Sequence, residues 1–197
     1  FSINIKANDT IVNRAASLEI NKTITFTKDL STTFILQEVN LQSSYVKRKL
    51  KTAKRASPSD LVGVIRANTR ETLLDKYKYS TSKEGVRVAI NKKDGFKLIK
   101  RSFRVTNLSK SGTSGIAMRN VDAVAAFKSA LSPATPAKSR KLQRIISNAR
   151  TNPRGLTVLH SRSINQLFTS VRVDVQPRSE RYMAQEFLSN LKRLQNG

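Results

Sequence analysis

An excess of positive charge constrains this chain more than any other feature of its sequence. Lys and Arg number 37 against 13 Asp and Glu, which gives a formal net charge of +24 at pH 7. Self-repulsion of this size destabilises a compact monomer. Hydrophobic residues make up only 38% of the chain, so the core of a lone subunit is modest. We therefore predict a globular protein that completes its burial against neighbours and meets a polyanion, which can be nucleic acid, an acidic protein ring or an anionic membrane.

The residues that enzymes and metal sites need are scarce. The chain has no Cys and a single His, and its seven glycines form no phosphate-binding loop. A His-based metal cluster or catalytic relay therefore lacks its parts, and His160 is expected to end a strand in a structural role. No apolar run approaches the roughly 20 residues that span a bilayer. We predict a non-enzymatic protein with no cofactor, no metal and no membrane partner.

The N-terminal part of the sequence predicts one long helix. Asn8 or Asp9 provides an N-cap, and apolar residues recur at mostly helical spacing as far as Ile35. The run Thr23–Thr27 alternates in polarity and is rich in β-branched residues, so a strand or a kink stays open there. We predict a helix over residues 9–38.

The rest of the sequence predicts antiparallel strands followed by helices. Turn signals such as Asp94-Gly95 separate short β-prone runs, and Gln176-Pro177 breaks the chain before a last helix. The predicted elements are strands over 51–56, 61–67, 86–90, 96–105 and 116–119, helices from Ser43 or Ser44, over 138–149, from Ser161 or Ser163 to Val171 and over 177–194, and a strand over 156–159. Residues 121–131 fit either a short helix or the far side of the meander. We expect residues 1–197 to form a single α+β domain, with a long N-terminal helix, a central antiparallel sheet and C-terminal helices packed on the sheet.

The basic residues fall into three clusters. Between Asp94 and Asp174 the only acidic residue is Asp122, so much of the chain has little to neutralise them. Aromatic residues near the clusters occur at strand-like spacing, which favours the core over base stacking. We predict sequence-independent contact with a polyanion, such as a DNA backbone. The candidate residues are Lys47, Arg48, Lys49, Lys51, Lys54, Arg55, Lys97, Lys100, Arg101, Arg104, Lys138, Arg140, Lys141 and Arg144.

Three stretches of the sequence resemble one known family. They are Val12–Ala16 and Ile20–Thr23 leading into Glu38–Leu50, Gly95–Lys97 with Gly115–Arg119, and Leu159–Phe168 followed by Val173–Pro177 and Glu186–Leu194. Through these stretches the chain resembles phage minor tail protein Z and its tail-completion (neck) relatives. The resemblance spans most of the chain. Where relatives tend to carry a Tyr-Gly-Pro-Ser-Val-like turn, this chain has His160–Ile164.

The resemblance implies a structural virion protein of a tailed bacteriophage, assembled in the host cytoplasm. Its relatives form a hexameric ring at the head-proximal end of the tail, which completes the tail and supports head–tail joining around the DNA channel. The implied partners are further copies of the chain, tail-tube proteins and neck or connector proteins, with possible DNA backbone contact. Residues of the first and last helices would pack on the sheet or on adjacent subunits: Phe34, Ile35, Tyr182, Phe187, Leu188, Leu191 and Leu194. The alternative that composition alone supports is a non-sequence-specific nucleic-acid-binding protein of ribosomal or nucleoid type.

Overall fold

The structure, a computed structural model, describes residues 9–108, 112–130 and 136–195. Its fold is α+β, as the sequence predicts. In chain order the elements are α1 (Asp9–Glu38), α2 (Ser43–Lys49), β1 (Leu50–Lys54), β2 (Val64–Ala67), β3 (Glu71–Leu73), a 3-10 turn (Leu74–Lys76), β4 (Lys78–Ser82), β5 (Gly85–Ala89), β6 (Lys97–Lys100), β7 (Ser102–Val105), β8 (Gly115–Arg119), α3 (Asn120–Ala130), α4 (Pro136–Thr151), β9 (Leu156–Val158), β10 (His160–Ser163), α5 (Ile164–Ser170) and α6 (Arg172–Gln195).

The chain, for which the sequence predicts one domain, divides into two compact units. Unit 1 comprises the described residues of 1–38, 42–70 and 162–197, and unit 2 those of 39–41 and 71–161. The long helices α1 and α6 belong to unit 1, and the β4–β5–β6 and β7–β8–β9 sheets belong to unit 2. Each unit has its own buried apolar residues, so each can be understood by itself.

Helix α1 has the predicted bounds and continues through the Thr-rich run without a strand. Thr25, Thr32 and Thr33 each donate their hydroxyl to the backbone carbonyl four residues earlier. These bonds satisfy three of the hydroxyl groups inside the helix. Packing of the helix against α6 then outweighs the β propensity of the sequence, because most helical stability in proteins comes from tertiary packing.

Helices α1 and α6 pack on each other along unit 1. Phe26 stacks on Tyr182 with ring centroids 4.1 Å apart and planes inclined by only 6°. Close by, the Thr27 hydroxyl donates to the Ser179 Oγ at 2.9 Å, across 152 residues of chain. The Arg178 guanidinium lies 5.0 Å from the centroid of the Phe34 ring. The two helices are therefore held by aromatic and polar contacts between residues that are far apart in sequence.

The last helix begins earlier than predicted, because Pro177 lies inside it. Helix α6 starts at Arg172, five residues before the predicted start. Proline removes the hydrogen bond to the carbonyl four residues earlier, which is that of Val173. Val173 is 80% exposed, so water can satisfy its carbonyl. The prediction that Pro177 ends the preceding segment is wrong for this reason.

The β1–β2 hairpin is fastened to α1 by one asparagine. The Asn21 side chain donates to the Ala56 carbonyl at 2.9 Å and accepts from the Ala56 N–H at 3.0 Å. Gly63, before β2, lies so close to α1 that an added Cβ would be 2.2 Å from the Ile24 Cδ1. These contacts fix the hairpin against the long helix and so position the surface described below.

In unit 2 the predicted strand over 96–105 is two strands. Arg101 adopts a left-handed conformation with φ of 59°, which ends β6 and starts β7. Its N–H donates to the Glu84 carbonyl at 2.8 Å. Gly85 is required beside this turn, because a Cβ there would meet the Ile99 carbonyl oxygen at 2.2 Å. The sequence predicts a continuous strand because nothing in it marks Arg101 as a turn residue.

The segment that fitted either a helix or a strand is the helix α3. It follows β8 directly at Asn120, which is buried. The Asn120 amide donates to the Asn152 carbonyl at 2.7 Å, and its oxygen accepts from the Thr157 hydroxyl at 2.8 Å. Its backbone N–H donates to the Gly155 carbonyl at 2.9 Å. Asn120 thus joins the start of α3 to the loop between α4 and β9.

Candidate polyanion-binding groove

A short helix that runs directly into a strand places the first cations of the site. Val46 in α2 and Leu50 at the start of β1 are buried, at 0% and 1% exposure, and they anchor this corner in the core of unit 1. Side chains alternate along a strand, so Lys51 points away from the buried face. Arg48 and Lys49, in the last turn of α2, each lie 5.8 Å from the centroid of the Tyr45 ring. Three residues of the first predicted cluster therefore share one surface.

The register of the hairpin adds a cation that sequence reasoning missed. Leu50 pairs with Ala67 on the buried face, and Lys51 pairs with Arg66 on the exposed face. Residues directly opposite on antiparallel strands have Cβ atoms about 4.5–5.5 Å apart, and like charges at that distance are destabilising. The pairing of Lys51 with Arg66 therefore needs a reason other than the stability of the hairpin.

Two turn residues complete the surface. The Asn68 Oδ1 accepts from the Arg70 N–H at 2.8 Å, which sets the direction of the chain after β2. The Asn68 carbonyl accepts from the Asn165 N–H at 3.0 Å. Asn165 is placed by a capping box at the start of α5, in which Ser163 and Gln166 exchange hydrogen bonds. Ser163 is one of the two predicted caps of this helix.

Together these residues line a groove of about 720 Å³ in unit 1, which we call the basic groove. Its lining consists of Arg48, Lys49, Lys51, Ile65, Arg66, Ala67, Asn68, Thr69, Arg70 and Asn165. Five of these residues are cations and none is a carboxylate. Within the described part of the chain, no Asp or Glu forms an ion pair with any of the five. The groove is thus a concave surface of positive charge that the rest of the described chain leaves unneutralised.

Several other predicted cations each have an acidic partner. The pairs are Lys47 with Asp29 at 3.1 Å, Lys54 with Asp60, Lys97 with Asp94 at 3.1 Å, Arg101 with Asp122 at 2.9 Å and Lys141 with Glu71 at 2.9 Å. The hydrogen bond from Lys54 lowers the pKa of Asp60. Hydrogen bonds from Asn91 and then from Lys97 lower the pKa of Asp94. Asp60 and Asp94 therefore stay ionised across the physiological range and neutralise Lys54 and Lys97.

Five further predicted cations do not line the groove. Arg55 is exposed in the loop after β1, and Lys100, Arg104, Arg140 and Arg144 are exposed on unit 2. The side chain of Lys138 lies outside the described residues. The structure therefore gathers three of the fourteen candidates, Arg48, Lys49 and Lys51, into one concavity. Arg66 and Arg70 were missed because the strand register that brings them there is not visible in the sequence.

The residues predicted to pack between subunits differ in their availability. Ile35 is 0% exposed, so it cannot reach a neighbouring subunit. Phe34 and Tyr182 are partly covered by contacts within the chain, and Phe187 is half-buried. Leu188 is 59% exposed and remains a candidate. The side chains of Leu191 and Leu194 lie outside the described residues.

The single histidine belongs to unit 2, whereas the residues of the basic groove belong to unit 1. Desolvation by burial lowers the pKa of His160. The negative charge of Glu71 raises this pKa, and the positive charge of Lys141 lowers it further. The imidazole is therefore neutral at physiological pH. Within residues 9–108, 112–130 and 136–195 no three acidic or imidazole side chains are grouped as metal ligands. Over the same residues, no helix has both the length and the apolar character of a membrane span.

Comparison of the chain with known protein families, with curated proteins and with solved structures finds no match.

Proposed function

We propose that this chain is a structural virion protein of a tailed bacteriophage, of the tail-completion kind that its sequence resembles. It forms a ring at the head-proximal end of the tail and supports head–tail joining around the DNA channel. The observation that carries the proposal is the basic groove, whose five cations lack an acidic partner among the described residues. In an assembly, such a surface can bind an anionic partner.

The energetics of the groove support an assembling protein. Repulsion among clustered cations weakens the isolated subunit and is relieved when an anionic partner arrives. In a tail-completion ring that partner is either the DNA in the channel or an acidic surface on the neighbouring ring. Complementary charge at such a contact sets register and recognition even where it adds little affinity.

Exposed apolar side chains on the two long helices of unit 1 support contacts between subunits. Ile11 and Leu18 on α1 are 48% and 55% exposed, and Met183 and Leu188 on α6 are 37% and 59% exposed. Large exposed apolar groups that recur on neighbouring elements are typical of protein–protein contacts. We propose that ring closure buries some of these side chains.

The test is the mass of the purified full-length protein by light scattering at low and high salt. We expect a discrete ring-sized oligomer, or one that forms only with other virion proteins. The variant Leu188→Glu should dissociate the ring, because a charge is then forced into an apolar contact. Gln185→Glu is the matched control, since it adds the same charge at an exposed position of the same helix. In a phage that encodes the chain, Leu188→Glu should leave heads and tails unjoined in electron micrographs.

The second candidate function is a non-sequence-specific nucleic-acid-binding protein of ribosomal or nucleoid type, which the basic groove also favours. The same measurement separates the two. A strict monomer at both salt concentrations that gains mass only when nucleic acid is added would replace the tail-completion proposal with this one.

A further inference from the structure

We propose that the basic groove holds the sugar–phosphate backbone of duplex DNA. The proposal names the partner of the site described above, and its choice of DNA as the available polyanion rests on the proposed function. The alternative, an acidic protein segment, is an outcome of the experiment below.

The side chains of the groove suit phosphates. Three of the five cations are arginines, Arg48, Arg66 and Arg70, whose planar fork can donate two parallel hydrogen bonds to one phosphate. Asn68, Thr69 and Asn165 add neutral groups of the kind that contact phosphate oxygens beside arginine and lysine. The lining thus combines point charges with fixed donors, as backbone binding requires.

The apolar part of the lining does not suit a protein segment. Only Ile65 and Ala67 are apolar, and Ala67 is itself 7% exposed. Protein–protein contacts draw most of their affinity from apolar or aromatic anchors that enter pockets. An acidic segment bound here would have charge to recognise but little surface on which to bury such an anchor.

The lack of an aromatic lining residue points to a duplex over a single strand. Proteins that bind single strands stack successive bases on aromatic side chains. None of the described lining residues is aromatic, and the nearby ring of Tyr45 has Arg48 and Lys49 beside it. Contact limited to the backbone carries no sequence information, so binding should be independent of sequence.

A bound phosphate backbone would explain why Lys51 pairs with Arg66. A phosphate between the two strands would sit within reach of both cations and turn a repulsive pair into a clamp. The position that is unfavourable in the free protein becomes favourable in the complex.

The experiment measures binding of the full-length protein to short fluorescent DNA duplexes of unrelated sequence, as a function of salt. The groove variant carries Lys51→Gln, Arg66→Gln and Arg70→Gln. The control variant carries Lys97→Gln, Arg101→Gln and Lys141→Gln, which removes the same three charges from ion-paired positions. Because both variants have the same net charge, only the location of the removed charges differs.

We expect the groove variant to bind DNA on the order of 10–100-fold more weakly at moderate salt. Its salt slope should fall by roughly 0.9 for each phosphate that the substituted side chains no longer neutralise. The control variant should keep the slope of the parent. Should the groove variant fail to fold, Arg70→Gln alone, at an exposed turn position, should still lower the slope by roughly 0.9.

Two results would overturn the inference. An equal weakening in both variants would mean that the field of the whole protein, and not the groove, attracts DNA. Unchanged DNA binding together with abolished binding of polyglutamate would assign the groove to an acidic protein.

Light scattering on the same samples separates this inference from the proposed function. A parent protein that forms rings but binds no DNA refutes the inference and leaves the ring proposal standing. A protein that binds DNA through the groove but stays monomeric, even with other virion proteins present, supports the inference and refutes the ring proposal.

Discussion

Unit 1 treats charge in opposite ways on two of its surfaces. Between α1 and α6 the carboxylate of Glu19, whose side chain is 1% exposed, accepts hydrogen bonds from Lys22 at 2.8 Å and from Asn190. In the basic groove Lys51 and Arg66 lie opposite each other, and no carboxylate of the described residues pairs with either. One surface balances its charge within the chain and the other does not.

The difference separates what holds the unit together from what the unit presents to a partner. The helix pair combines aromatic stacking and hydrogen bonds, which favour folding, and it pairs the buried Glu19 carboxylate with Lys22. The groove adds like-charge repulsion, which opposes folding. An arrangement that folding alone does not explain is best explained by a ligand, and the three predictions below test whether the two roles are separate.

Phe26→Ala should have the largest effect, because it disrupts the contact between α1 and α6 that stabilises unit 1. Removal of the stacked ring eliminates apolar packing on Tyr182 and leaves a void, at a cost of about 2–4 kcal/mol in the free energy of unfolding. Phe96→Ala is the control, since Phe96 is 55% exposed and should cost less than about 0.5 kcal/mol. Urea denaturation measures both. Equal effects of the two substitutions would show that the stacked pair does not hold the unit.

Arg66→Glu should move stability and affinity in opposite directions. It gives Lys51 an acidic cross-strand partner, so the free energy of unfolding should rise by about 0.2–1 kcal/mol. It also removes one cation of the proposed phosphate site and neutralises a second, so the salt slope of DNA binding should fall by roughly 1.8.

Denaturation and fluorescence anisotropy report the two effects of Arg66→Glu separately. Arg87→Glu, at an exposed position of β5, makes the same change of charge away from the groove. A decrease of stability in Arg66→Glu would mean that Arg66 supports the hairpin in a way that its register does not reveal.

Glu19→Gln should have the smallest effect. The hydrogen bond to Glu19 raises the pKa of Lys22 above its ordinary value. The pair therefore adds stability that is fully present at pH values below the ordinary pKa of lysine. That stability is lost as the pH rises through the raised pKa. In the variant the pKa of Lys22 should fall towards its ordinary value, and the decline of stability at alkaline pH should become shallower. Titration of Lys22 by NMR checks this, and an unchanged pKa would mean that the hydrogen bond is not formed in solution.

The parts of the fold that depend on local periodicity could be predicted from the sequence. The bounds of α1 follow from the helical spacing of its apolar residues, and the cap at Ser163 follows from its local motif. Pro177 misled the prediction because its tolerance depends on how exposed Val173 is. Arg101 misled it because its left-handed conformation, which divides β6 from β7, has no signal in the local sequence. Both errors concern interactions that local sequence does not encode.

The candidate site was predictable only in part, for the same reason. Arg48, Lys49 and Lys51 stand together in sequence and were found by charge clustering. Arg66 and Arg70 join them through the register of β1 with β2 and through the turn at Asn68, which are tertiary facts. Acidic partners distant in sequence likewise explain why Arg101 and Lys141 are not comparable sites.

Asn21 on α1 has a consequence for how this sequence can change over time. Its side-chain amide forms both backbone hydrogen bonds of Ala56 that a neighbouring strand would otherwise form. The nitrogen donates to the Ala56 carbonyl and the oxygen accepts from the Ala56 N–H, across 35 residues of chain. Aspartate could accept but not donate, and glutamine would carry the same groups on a longer arm. The cations of the groove can therefore be exchanged without loss of this contact, whereas any residue that replaces Asn21 must offer both a donor and an acceptor to keep both hydrogen bonds to Ala56.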